Sequence, residues 1–197
     1  MGPVTQSKSE AKSIRSPLPP GNNRIRLLRL MPNRIETADI KCELFHYSLE
    51  PDNSTHLYDA LSYVWGDLNK TVPIFVNEHV LSVTENLHAA LVHLRDRSFE
   101  RIIWVDALCI DQDNEKEKIQ QIRIMARIYA QANRVIAWLG NAGDDSDQAL
   151  EAIRRATENE SANESNSQQA IVALLQRPWF ERIWVRDQKP DNISRGR

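Results

Sequence analysis

Four side chains that could do chemistry follow the apolar run RIIWV within one stretch of seven residues. They are Asp106, Cys109, Asp111 and Gln112. Carboxylates and an amide in one loop can hydrogen-bond the hydroxyl groups of a ligand. The thiol could act as a nucleophile beside a histidine, although a small apolar role in the core is the simpler interpretation. The alternative for Asp106 and Asp111 is structural, because aspartates also cap helices and tie loops together.

A second polar group follows an earlier apolar run, in the sequence YVWGD. Its candidate ligand-binding residues are Tyr63, Trp65, Gly66 and Asp67. In open parallel sheets, ligands bind outside the carboxyl ends of the strands, so the two loops are predicted to line one pocket. Asp67, Asp106 and Asp111 would hydrogen-bond a sugar or a ribose there. Trp65 and Trp184 are the candidates for stacking on a ligand base.

The elements that must position these residues begin with β-prone segments. RIRLLRL, IKCELFHYSL and DALSYVWGD each predict a strand, and VPIFVNEHVLSV predicts a hairpin that turns near Asn77 and Glu78. Apolar residues from Leu87 to Leu94 then follow helical spacing, with Ser82 or Thr84 as the cap. Ser82 and Glu85 also match a capping box.

The second half of the chain alternates between strands and helices. RIIWVDAL and RVIAWLG predict short buried strands. Between them, Ile119, Ile122, Ala126 and Tyr129 mark the apolar face of a helix. Helices are predicted again for residues 149–156 and 170–176, with a polar loop from 157 to 169. This rhythm predicts an α/β fold with a mostly parallel sheet flanked by helices and extra strands at the N-terminus.

Composition narrows the class of protein. A net charge of -2 offers no overall field for nucleic acid, although six basic residues and one acidic residue precede residue 30. That asymmetry indicates a solvated basic leader, or else a segment steered to anionic surfaces. The two cysteines and five histidines show no metal-ligand spacing. No apolar run is long enough to cross a membrane and no export signal is present, so a cytoplasmic protein is expected.

Five blocks of sequence carry a family resemblance. They are YDALSYVWGD (58–67), LHAALVHLR (87–95), IIWVDALCIDQ (102–112), MARIYAQANRVIAWLG (125–140) and RPWFERIWV (177–185). In this order they resemble the heterokaryon incompatibility (HET) domain of filamentous fungi. The resemblance implies a signalling module in self/non-self recognition, an innate-immunity-like defence in which growth arrest and programmed cell death follow fusion of incompatible cells. It also implies partners in signalling, or self-association.

The HET family in turn resembles Toll/interleukin-receptor (TIR) domains, which have a flavodoxin-like fold. Some of that wider group cleave NAD with a glutamate that follows a tryptophan, since a carboxylate can stabilise an oxocarbenium-like state. The resemblance therefore makes NAD a possible substrate and an NAD glycohydrolase the alternative function. Here the sequence departs from the family, because Gln188 stands at the expected glutamate position and Asp187 precedes it. An amide carries no negative charge, so a degenerate HET domain is expected in this chain. The sequence after Val185 is interpreted as a truncation, a shifted reading frame or a mispredicted splice site.

These observations predict four segments along the chain. They are a disordered basic leader (1–23), N-terminal strands packing on the domain (24–57), the HET domain (58–188) and an irregular tail (189–197).

Overall fold

One mixed sheet of seven strands contains most of the regular structure in the first of two compact units. The units are residues 1–138 and 139–197, and each is described by itself. The structure is a computed structural model, which describes residues 14–21, 23–49, 56–143, 145–157 and 164–181.

The strands and helices fall close to the predicted positions. The strands are β1 (Arg24–Leu30), β2 (Lys41–Ser48), β3 (His56–Tyr63), β4 (Thr71–Val76), β5 (His79–Thr84), β6 (Arg101–Trp104) and β7 (Ala132–Trp138). The helices are α1 (Glu85–Leu94), α2 (Asp106–Cys109), α3 (Glu115–Gln131), α4 (Ser146–Thr157) and α5 (Glu164–Leu175), followed by a 3₁₀ turn at Pro178–Glu181. An α/β fold is therefore confirmed.

The sheet has the order β5-β4-β2-β1-β6-β3-β7. It is mixed, so the prediction of a mostly parallel sheet was wrong in this respect. Strands β6, β3 and β7 are parallel, as are β2 and β4, but β1 runs against both of its neighbours and β5 runs against β4. The reason is that two consecutive strand pairs, β1–β2 and β4–β5, connect as antiparallel neighbours, and only the later strands need helical crossovers.

The turn between β4 and β5 confirms the predicted hairpin. Asn77 and Glu78 both have positive φ, 48° and 65°, as the two central residues of a type I′ turn do. Asn77 has a second role, because its Oδ1 accepts a hydrogen bond of 2.9 Å from the Leu44 amide of β2. The side chain thus ties the hairpin to β2, which pairs with β4 only at Lys41 and Cys42.

Helix α1 begins where Thr84 caps it, with the Thr84 hydroxyl accepting from the Leu87 amide at 3.4 Å. The prediction of a capping box that starts at Ser82 was wrong, since Ser82 lies inside β5. The helix buries Leu87, Ala90, Leu91 and Leu94, as its apolar spacing predicted.

A charged pair lies in the core of the first unit, between β1 and α3. The Arg26 side chain is 1% exposed, and its NH1 and NH2 atoms donate to Glu117 Oε1 and Oε2 at 2.5 and 3.0 Å. Such a bidentate pair is the geometry in which a buried guanidinium is best compensated. The remaining donors of Arg26 reach the carbonyls of Ser16 and Cys109 at 2.7–3.1 Å.

This pair explains why the predicted buried face of α3 was wrong at three of its four positions. The fourth, Tyr129, is partly buried and packs against the core. Ile119 and Ile122 are 48% and 47% exposed, and Ala126 is exposed as well. The face that packs on the sheet instead carries polar residues beside apolar ones. Its buried members are Glu117, Gln121, Met125, Ile128 and Gln131. Because buried Arg26 requires a carboxylate, the helix turns a partly polar face inward.

Strand β7 lies at the edge of the sheet, and most of its side chains are exposed. The prediction that RVIAWLG is a buried strand was therefore correct about the strand and wrong about its burial. In the second unit, α4 and α5 pack through Ala149, Ala170 and Leu174. Helix α5 begins at Glu164, inside the segment predicted as a loop.

Breaking the buried pair should destabilise the first unit strongly. We expect Arg26→Met to lower the free energy of unfolding by about 3–5 kcal/mol, because it leaves the Glu117 carboxylate buried without its cation. Urea unfolding measures the change. The matched control is Arg29→Met on the same strand, whose side chain is 36% exposed and pairs with exposed Glu43 and Glu100. Its loss should stay below about 1 kcal/mol, and equal effects of the two variants would contradict the account.

The same pair predicts how stability depends on pH. Burial would raise the pKa of the Glu117 carboxyl, but hydrogen bonds from Arg26 and the Asp111 amide hold that pKa below its ordinary value. A lowered folded-state pKa stabilises the fold above the unfolded carboxyl pKa of about 4.3, and this stabilisation is lost as the pH falls through the folded value.

Urea unfolding at a series of pH values from 7 to 3 should therefore show a decline below about pH 4.3 that is smaller in the Arg26→Met variant. If the free energy of unfolding falls equally with pH in the two proteins, Glu117 does not contribute to the pH dependence of stability.

Candidate functional site

The two predicted loops meet at the carboxyl ends of neighbouring strands. Strands β3 and β6 are parallel and adjacent, with Ala60 opposite Trp104. The loops that follow them therefore lie side by side at the carboxyl ends of the strands. The contact is direct, because Trp65 Nε1 donates to Asp106 Oδ2 at 3.1 Å. Asp106 is 8% exposed, and its Oδ1 accepts from the Ala107 amide at 2.8 Å. The buried carboxylate thus fixes the orientation of the Trp65 indole.

Gly66 lets the chain leave β3 at a sharp angle. Its φ is +78°, and a Cβ there would lie 3.3 Å from the Asn86 Cβ, so a side chain would be both strained and crowded. Asn86, in the first turn of α1, donates to the Val64 carbonyl at 2.6 Å and accepts from Trp138 Nε1 at 2.9 Å. Asn86 therefore links the ends of β3 and β7, a role that the sequence analysis missed.

Asp67 stands apart from the other candidates. It is exposed, and its Oδ1 accepts from the Asn69 amide at 2.9 Å in a local turn. The Asp67 carboxylate therefore faces solvent and not the space between the two loops.

The second loop is held from several sides. Helix α2 is one turn long, Gln112 Nε2 donates to the Asp106 carbonyl at 3.0 Å, and the Asp111 amide donates to Glu117 Oε1 at 2.8 Å. The cap of α3 is Asn114, whose side chain accepts from the Glu117 amide. Neither aspartate of this loop caps α3. The Asp106 carboxylate ties two loops together through Trp65, whereas the Asp111 carboxylate accepts from the Asp113 amide within its own loop.

A cavity of about 210 Å³ opens between these loops and the β4–β5 hairpin. Aromatic, amide, guanidinium and hydroxyl groups all contribute to its wall. The polar and aromatic lining residues are Arg15, Tyr63, Trp65, Thr71, Ser82, Thr84 and Gln112. This volume is smaller than that of a typical ligand pocket. It can hold one group of a ligand, such as a sugar ring, with hydrogen bonds from several sides.

Arg15 is a component that sequence analysis did not identify. It belongs to the segment predicted as a leader, yet it is 9% exposed and donates to the Leu108 and Ala107 carbonyls at 3.0 and 2.9 Å. Burial lowers the pKa of the Arg15 guanidinium, while nearby Asp111 acts against that shift. The signal for such a role is weak, because one arginine among polar residues is normally a surface residue.

Cys109 lies in the core and not in the cavity wall. It is fully buried, and its Sγ accepts from the Val105 amide at 3.5 Å. Burial raises the pKa of the Cys109 thiol to about 12, and thiolate is scarce at neutral pH when the pKa is this high. The geometry favours the core interpretation over the nucleophile.

A larger groove of about 630 Å³ lies beside β2 and β4. Met31, Phe45 and Phe75 line it with charged residues that include Asp39 and Lys41. None of the predicted ligand-binding residues that the structure describes borders the groove. The smaller cavity is therefore the candidate site, because it brings together Tyr63, Trp65 and Gln112.

Three predicted residues cannot be placed, since Trp184, Asp187 and Gln188 lie outside the described residues. Within the described part of the chain, no group of three or more potential ligands could hold a metal ion. Across that same part, the helices are too short or too polar to span a membrane.

Comparison with known proteins shows the family. Residues 58–187 match the family "Heterokaryon incompatibility protein (HET)", which covers more than half of the chain and includes both loops of the cleft. The chain belongs to the heterokaryon incompatibility family.

One relative is the "Heterokaryon incompatibility protein 6, OR allele" of Neurospora crassa. It is 39% identical to this chain over an alignment 142 residues long, and the match covers 66% of this chain and 20% of the relative. The chain thus spans about a fifth of the length of this relative. No solved structure matches the chain significantly.

The buried thiols give a direct test of the core. We expect neither Cys109 nor Cys42 to react with a thiol reagent in the native protein at pH 7, because burial raises both pKa values to about 12. Both should react at once in concentrated urea. Counting modified thiols by mass spectrometry measures this, and rapid native labelling of Cys109 would instead place it in an accessible site.

Proposed function

We propose that this HET-family protein is a signalling module in fungal self/non-self recognition, and that its activation leads to growth arrest and cell death. The family match carries the proposal. The Neurospora relative, which is named as an incompatibility protein, supports it.

The cleft between the two strand-end loops is the proposed functional site. Both loops belong to the matched region, and their contact from Trp65 to Asp106 depends on a buried carboxylate. A tryptophan held in this way presents a fixed aromatic surface beside a cavity whose wall carries hydroxyl, amide and guanidinium groups among apolar side chains, which suits recognition of a ribose or sugar with its attached base. We propose that Trp65, Tyr63 and Gln112 contact this ligand.

The remaining assignments are part of the same proposal. The module acts in the cytoplasm through self-association or through binding another signalling protein. The domain spans 58–188 with N-terminal strands from 24 to 57, a leader before them and a tail after residue 188. Its relation to TIR domains and the flavodoxin-like fold is supported by the parallel strands β6, β3 and β7.

NAD cleavage is the second candidate function. A cleft with a fixed tryptophan and several hydrogen-bonding groups at the carboxyl ends of the strands would suit NAD, but Gln188 in place of the family glutamate weakens the case. Purified protein incubated with NAD should therefore release no nicotinamide. Release by this chain would favour the enzyme, and release only after Gln188→Glu would identify a site disabled by one substitution.

Induced expression in a filamentous fungus tests the signalling role. We expect the chain to reduce hyphal viability, measured by dye exclusion, and Trp65→Ala to lower the dead fraction at least threefold because it removes the aromatic wall. The matched control is Phe99→Ala, which removes a side chain that is 75% exposed and does not line the cavity. Both variants must accumulate to the same level as the parent protein. Undiminished viability with the parent chain, or equal killing by all three, would contradict the proposal.

A further inference from the structure

The segment that precedes the family-matched region is bound to the candidate site. Residues 14–16, called the strap below, run across the first unit without joining a strand. Ile14 is 2% exposed and Arg15 is 9% exposed, so the strap is packed rather than solvated. It reaches the loop from Asp106 to Gln112, called the site loop below, through side-chain hydrogen bonds to backbone carbonyls.

These hydrogen bonds run in both directions between the strap and its neighbours. Arg15 donates to the Ala107 and Leu108 carbonyls of the site loop. Arg26 donates to the Ser16 carbonyl of the strap and also to the Cys109 carbonyl of the site loop. The buried guanidinium of Arg26 therefore joins the strap to the site loop. The guanidinium of Arg15, which belongs to the strap, holds residues 107 and 108 of the same loop.

A third attachment fixes the start of the strap. Asn77 Nδ2 donates to the Ile14 carbonyl at 3.2 Å, and Asn77 is the turn residue of the β4–β5 hairpin. The candidate cavity lies between that hairpin and the site loop, and Arg15 lines it. The strap is thus held to the turn of the hairpin and to the site loop, and Arg15 forms part of the cavity wall.

We propose that Arg15 is a positioning residue of the candidate site, and that the strap holds the site loop in the conformation that closes the cavity. Because no backbone ladder binds the strap, it can detach without unpairing a strand. Detachment would free the Ala107 and Leu108 carbonyls and open one side of the cavity. The segment before the HET-matched region would in this way control access to the site.

The strap proposal depends on the proposed function in one respect, which is that this cavity is the functional site. Its test is a structural measurement that needs no cell-death readout. A failure of the expression experiment therefore leaves the strap testable, and a failure of the strap leaves the signalling role untouched.

Amide hydrogen exchange, followed by NMR on the full chain, tests the strap. In Arg15→Ala we expect at least tenfold faster exchange at the Cys109, Ile110 and Asp111 amides. The Trp65 indole N–H, which is bonded to Asp106, should also exchange faster. Exchange of the amides that pair β3 with β7 should be unchanged, because the proposal involves no contact between the strap and these two strands.

The matched control is Arg24→Ala, which removes an exposed guanidinium from the start of β1. It should change exchange in the site loop less than twofold. Arg15→Lys keeps a cation that can donate to one of the two carbonyls, so it should restore part of the protection. It also provides a second variant if Arg15→Ala does not fold.

Three results would overturn the proposal. The first is unchanged exchange in the site loop of Arg15→Ala. The second is equal acceleration of the site loop and the β3–β7 amides, since this would make the strap an ordinary part of one cooperative core. The third is protection in Arg15→Lys no better than in Arg15→Ala, since this would contradict a role for the hydrogen bonds.

Discussion

The buried guanidinium of Arg26 is the constraint on which the rest of the first unit depends. An arginine on a central strand cannot remain uncompensated, because an unpaired buried charge is far less stable than a hydrated one. Glu117 supplies the carboxylate, and the carbonyls of Ser16 and Cys109 accept the remaining donors. One side chain thereby fixes the position of α3, the site loop and the strap relative to β1.

The buried pair of Arg26 and Glu117 also holds the candidate site in position. Glu117 also accepts from the Asp111 amide, so the residue that neutralises Arg26 holds the end of the site loop as well. The start of that loop carries Asp106, which orients Trp65 across the boundary between two parallel strands. A HET-family cleft built in this way presents an aromatic surface whose geometry is set by buried polar contacts rather than by mobile side chains.

Periodicity and turn chemistry were sufficient to predict the strands, the Asn77–Glu78 hairpin and the meeting of the two strand-end loops. They failed where a polar residue is buried. The inward face of α3 carries Glu117 and Gln121, whereas exposed Ile119 and Ile122 gave the apolar signal. Arg26 itself offered a clue, because an arginine within an apolar run on a predicted strand needs a partner. The strap and Asn86 had no such signal, since tertiary contacts alone define their roles.

A double-mutant cycle on Arg26 and Glu117 tests the central claim most directly. Urea unfolding of Arg26→Met, Glu117→Gln and the double variant yields the interaction energy of the two side chains. We predict a coupling of about 2–3 kcal/mol, because the loss of either partner alone leaves the other charge buried without compensation. A coupling below about 0.5 kcal/mol would show that the two side chains act independently, and the pair would then not be what holds the site loop in place.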